Sequence, residues 1–171
     1  ILIMQTTPAD KTAYVESEIL DYLIAEEFKF NDSISALPLD ISFTAVNPLS
    51  GFKRVGKRDK SVILPSNKIL LQTIPTNSSY PHVQLTTGSI NRAQFDFETS
   101  KKQSHISLED HACAAVVVET EGDHFWFRHV EADSDGSFVD LGVRYCGKSK
   151  TAEKETAEWL YLGDLHSSEV D

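Results

Sequence analysis

The sequence predicts an α+β protein: a mainly antiparallel sheet with an amino-terminal strand-helix unit, followed by a short apolar strand near the end of the chain. Three observations predict it. An apolar run and a capped amphipathic segment open the chain, short β-rich segments punctuated by turn residues fill its middle, and an isolated apolar run at 159–163 stands near its end.

Residues 1–5 are apolar enough for a buried strand. Thr7, Pro8 and Asp10 then offer a hydroxyl N-cap, a proline at the first helical position and an acid in the first turn. Val15, Ile19, Tyr22 and Leu23 follow at i, i+4, i+7 and i+8, one face of a helix that ends near Glu27. The β-branched and aromatic residues of 40–46 predict a strand closed by Asn47-Pro48. A basic, glycine-punctuated loop runs from 51 to 61, and strands at 61–64 and 68–74 flank the turn Pro65-Ser66-Asn67. A further strand at 82–87 stops at Gly88, after which 89–110 is polar and irregular. The strongest β signal is a hairpin, 113–120 and 124–130 about Glu121-Gly122-Asp123. Residues 132–134, the turn Asp135-Gly136 and 137–141 extend it as a meander, and 148–158 reads as a linker or short helix.

Charge narrows the function. The net −10 resides entirely in the second half: residues 1–108 hold eleven acids and eleven Lys or Arg, residues 109–171 fifteen acids and five bases. A uniformly basic nucleic-acid binder is excluded. The longest nearly apolar run, 112–118, is far short of a bilayer span, so no membrane partner is expected. No basic stretch precedes an apolar segment near the start, and Cys113 and Cys146 lack paired spacing; free thiols in a cytosol are expected. The opening at Ile1 rather than methionine suggests a trimmed start.

Two clusters bear on chemistry. The run Trp159-Leu160-Tyr161-Leu162-Gly163 delivers Asp164 and His166 just past its end. Residues two apart on an extended chain share a side, and a carboxylate with an imidazole suits a divalent manganese, iron or zinc ion. The competing reading is a surface turn. The second cluster is Lys53, Arg54, Lys57, Arg58 and Lys60, five positive charges in eight residues. They read either as phosphate contacts to DNA or as a solvated loop balancing nearby acids. Asp133-Ser134-Asp135-Gly136 has Arg144 where a calcium loop needs glutamate, so it reads as a turn. His124 and His129, five apart on one strand, point to opposite faces and do not make a zinc pair. Asp110-His111 lacks a nucleophile, no Gly-x-Ser-x-Gly elbow is present, and no phosphate-cradling glycine loop is assigned.

The string "YLGDLH" resembles the opening Gly-Asp-x-His motif of calcineurin-like metallophosphoesterases. The stretches "NPLSGF", "LQTIPT", "LTTGSI", "AAVVVE" and "FRHVEADSDGSFVDLG" resemble the amino-terminal region of tailed-phage proteins carrying such a domain. The resemblance implies an amino-terminal α+β domain over 1–154 and, over 155–171, the first strand of an α/β metallophosphoesterase domain that is incomplete here. It implies two divalent ions, manganese favoured, with Asp164 and His166 as ligands and no other residue of this chain assigned. The family's later motifs do not follow, so the fragment alone is expected to be inactive. The implied activity is phosphodiester hydrolysis of host DNA in the host cytoplasm, by a phage DNase that forms homo-oligomers. Two alternatives stand beside it: a non-catalytic acidic interaction or inhibitor module, and a phosphoesterase acting on a small nucleotide.

Overall fold

A computed structural model describes residues 1–4, 17–42, 44–52, 55, 60–76, 82–90 and 109–157. The chain divides into two compact units, Ile1–Glu131 and Ala132–Asp171.

The expected strand-helix unit is not present, and the α+β class is corrected to a mostly β protein. Among the described residues no helix reaches seven residues. The carboxyl-terminal half of the expected helix is a 3-10 helix, Ser17–Tyr22, that buries none of its residues; Leu20 and Tyr22 are exposed. Directly after it, β2 (Leu23–Ile24) pairs in parallel with β1 (Ile3–Met4). Here Met4 and Ile24 pack against the core from paired strands, so tertiary pairing outweighs local periodicity. The capping residues Thr7, Pro8 and Asp10 lie outside the described residues.

The first unit centres on five strands: β3 (Phe28–Lys29), β4 (Ile34–Ala36), β5 (Ser61–Leu64), β6 (Leu71–Ile74) and β7 (His82–Thr86), in the order β3-β4-β5-β7-β6. At its centre β4, β5 and β7 run parallel, with antiparallel β3 and β6 outside them. All four residues of β5 are buried, as a central strand covered on both faces requires. Ile63 joins Ile34, Ala36 and Leu85 on one face, and Val62 and Leu64 join Leu49 on the other. The flanking strands expected around Pro65-Ser66-Asn67 do not pair with each other, because β7 lies between them.

Each face has its own cover. The expected hairpin forms from β8 (Ala114–Glu121) and β9 (His124–Glu131), which pair along their whole length. Its inner residues Val116, Val118, Phe125 and Phe127 pack, half-buried, on the first face. Asn31 ties the hairpin tip down by donating its amide to the carbonyls of Gly122 and His124, both at 3.0 Å. The second face is covered by Leu37, Leu39, Ile41 and Phe52 from a segment without strand structure. The strand expected at 40–46 is therefore corrected: Ile41 folds over the sheet instead of joining it, and Val46 is exposed. Asn47 turns that segment by accepting the Leu49 N–H at 2.9 Å.

The second unit holds β10 (Phe138–Asp140), β11 (Val143–Tyr145) and β12 (Ala152–Lys154), an antiparallel sheet in chain order. Leu141 and Gly142 both have positive φ, 48° and 75°, the geometry of a two-residue hairpin turn matched to strand twist. The expected meander partner, 132–134, contributes one bridge, Ala132 to Phe138. Both cysteines are free thiols. No helix among the described residues is long and apolar enough to cross a membrane.

Gly88 closes the end of β7 against the start of β8. Its φ is +75°, and an added Cβ would stand 2.6 Å from the Ala114 Cβ. Gly88→Ala is expected to lower stability by about 1–3 kcal/mol. The measurement is a urea unfolding curve, with a lower midpoint at unchanged slope.

Candidate functional site

Asp164 and His166 lie outside the described residues, as do Lys53, Arg54, Lys57 and Arg58. Of the sequence-derived candidates, Lys60 alone is placed: it is half-buried and directly precedes β5. Among the described residues no group of three or more His, Cys, Asp or Glu is arranged to hold a metal ion.

The two ends of the basic stretch are nevertheless well defined. On its near side, Phe52 packs on Leu49, Val62 and Leu64, and its carbonyl accepts the Gln84 amide at 2.5 Å. Successive turns carry the chain through Phe52 N–H to Leu49 O at 3.3 Å and Val55 N–H to Phe52 O at 2.9 Å. On its far side, Ser61 N–H donates to Ser33 O at 2.8 Å, and Ser61 Oγ accepts the Val83 N–H at 3.1 Å. Lys60 thus stands at the amino ends of the three parallel strands. The stem is held to the sheet on both sides.

At the opposite, carboxyl ends of β5 and β7 lies a charged contact that sequence reasoning missed. Lys68 has a side chain 6% exposed, and its ammonium pairs with Asp110 at 2.8 Å. The Lys68 carbonyl accepts the Thr86 hydroxyl at 2.6 Å, and Thr86 Oγ1 in turn accepts the Leu70 N–H at 2.8 Å. The His129 Nε2 lies 2.7 Å from the Thr86 carbonyl, which is an acceptor, so Nε2 carries the proton. His129 therefore ties β9 to β7, while His124 lies on the opposite face of the hairpin. The opposed placement expected from their spacing holds. The available signal for Lys68 was a lone cation at the start of the apolar run Ile69-Leu70-Leu71.

The second unit contains a string with the spacing of a phosphate-binding loop, Gly142 through Gly147-Lys148-Ser149, which sequence reasoning also missed. Its geometry is that of a hairpin. The intervening residues 143–145 form β11, whose ladders with β10 and β12 occupy backbone groups that a phosphate cradle would need to converge. Gly142 serves the tight turn. Gly147 packs so closely on the 135–136 turn that a Cβ would stand 2.7 Å from the Asp135 carbonyl oxygen. Arg144 ties the unit together, donating to Glu155 at 2.6 Å and lying 3.5 Å from Asp133.

Asp133-Ser134-Asp135-Gly136 forms a turn, as its residues suggest. The Asp135 carboxylate accepts the Ser137 N–H at 3.0 Å. That bond, then the Ser137 hydroxyl and Lys148, hold its pKa below the ordinary 3.8. A lowered folded pKa stabilises the fold at pH values above 3.8, and this contribution disappears as pH falls through the folded value. Asp135→Asn keeps an oxygen acceptor for the turn and removes the titration. Its unfolding, followed by circular dichroism between about pH 5 and pH 2, is expected to lose stability less steeply with acid than the parent chain.

No family model, curated protein or solved structure matches the chain.

Proposed function

We propose that this chain serves a phage-encoded, divalent-metal-dependent DNase that hydrolyses phosphodiester bonds of host DNA in the host cytoplasm. The observation carrying the proposal is the Gly163-Asp164-Leu165-His166 string directly after an apolar run. Asp164 and His166 supply a carboxylate and an imidazole to the metal, a donor pair suited to manganese. The bound ions would lower the pKa of a water to give hydroxide and neutralise charge on the phosphodiester oxygens. The remaining ligands of a two-ion site come from residues other than these two.

The basic stretch is assigned to the DNA backbone. Its stem, held by Gln84 on one side and Ser33 on the other, supports this role because a fixed base lowers the entropy cost when lysine and arginine side chains meet phosphates. Contacts of that kind position the duplex without reading sequence. A second reading, an acidic interaction module, is favoured by one observation: Glu121, Asp123 and Trp126 are exposed together at the end of the β8–β9 hairpin.

Manganese-stimulated DNA degradation by the full-length protein tests the enzyme reading. Asp164→Ala is expected to abolish it while leaving DNA binding intact, whereas activity equal to the parent would sink the metal assignment. Replacing Lys53, Arg54, Lys57 and Arg58 with Ala is expected to weaken binding. The slope of log affinity against log salt should become shallower by about 0.9 for each phosphate that the variant no longer neutralises. An unchanged slope rejects the loop's role.

A further inference from the structure

The outer face of the β8–β9 hairpin has no part in the fold's core. Alternation sends Val116, Val118, Phe125 and Phe127 inward and leaves Glu119, Glu121, His124, Trp126 and Arg128 on the other side. Trp126 is 53% exposed. The His124 ring stacks along it, centroids 6.5 Å apart and planes 20° from parallel. Register places Glu119 directly across from Trp126 and Glu121 directly across from His124. Arg128 binds Glu119 at 2.8 Å. Glu121 and Asp123 are exposed and make no ion pair among the described residues.

We propose that this face binds an extended peptide segment bearing lysine or arginine at alternate positions. An indole ring attracts a cation to its face, and a neighbouring carboxylate reinforces that attraction. Charge decides against the other occupant that stacks on aromatic rings, single-stranded nucleic acid. Glu119, Glu121 and Asp123 set three carboxylates against one guanidinium, Arg128, which Glu119 already engages. A phosphate backbone laid over the ring would meet net negative charge; a basic peptide meets its complement.

Spacing selects the form of the peptide. Trp126 with Glu119 and His124 with Glu121 are successive cross-strand pairs on one face, separated by two residues, or about 6.5–7 Å. An extended chain repeats its side chains on one face at that same interval. One cation settles at Trp126 and the next, two residues on, at Glu121. A helical peptide, whose neighbours on one face are three or four apart, does not match this spacing.

The test uses the intact chain and a fluorescently labelled peptide of alternating lysine and threonine, followed by anisotropy at low salt. A peptide of equal composition with its lysines contiguous and an oligothymidine strand serve as comparisons. The alternating peptide should bind more tightly than either. Trp126→Ala and Glu121→Gln should each weaken it by about two- to five-fold, and salt should weaken it further. Both side chains are exposed, so circular dichroism should report an unchanged fold. Equal affinity of either variant and the parent would overturn the proposal. So would tighter binding of oligothymidine that Trp126→Ala removes, or a concentration-dependent dimer, seen by sedimentation, that dissolves in the same variant.

Discussion

Ser61–Leu64 reaches water on neither side of the sheet, so its surroundings must supply both backbone partners and two covering layers. The parallel neighbours β4 and β7 take up its hydrogen bonds. The β8–β9 hairpin covers Ile63 and its companions, and the irregular segment ending at Phe52 covers Val62 and Leu64. Most polar anchors of the first unit serve this arrangement. Asn31 holds the hairpin tip, Gln84 holds Phe52, and His129 joins the hairpin to the carboxyl end of β7. The basic stretch inherits its fixed ends from the same constraint, since one flank lies under the sheet and the other continues into β5.

Among the described residues of the second unit the buried one is Ser137, and turn chemistry and strand pairing hold that part together. Gly147 lets two turns touch, Arg144 bridges two carboxylates, and Phe138 stacks on Tyr145 with centroids 4.9 Å apart. Exposed ion pairs of this kind contribute little individually, and the backbone ladders hold the three strands in register.

Legibility in the sequence followed locality. The β8–β9 hairpin was readable because its turn, its alternation and its partner all lie within 18 residues, Ala114–Glu131. β5 was readable as a strand, but its parallel partners were not, since alternation says which face a residue takes and nothing about which distant strand it meets. The early helix failed because the deciding contact, Ile24 beside Met4 on the core, is nonlocal. The strand read at 40–46 failed for a related reason: an apolar side chain such as Ile41 can cover a sheet without belonging to it. The chemistry-bearing residues follow the same division. His124 and His129 were correctly separated by strand alternation, whereas Lys68 and Asp110, 42 residues apart, had no local sign of their pairing.

The parallel neighbours of β5 also govern how the chain meets its surroundings during synthesis. One partner, β4, precedes it, but the other, β7, begins only after residues 65–81 have been made. At ~5–20 residues per second, those 17 residues take about one to three seconds. For that interval a largely apolar nascent strand has one bare edge, and any other chain offering a strand can occupy it. Crowded ribosomes on one message therefore present the most dangerous neighbour, an identical unfinished copy, and slowing translation after Leu64 would lengthen the exposure.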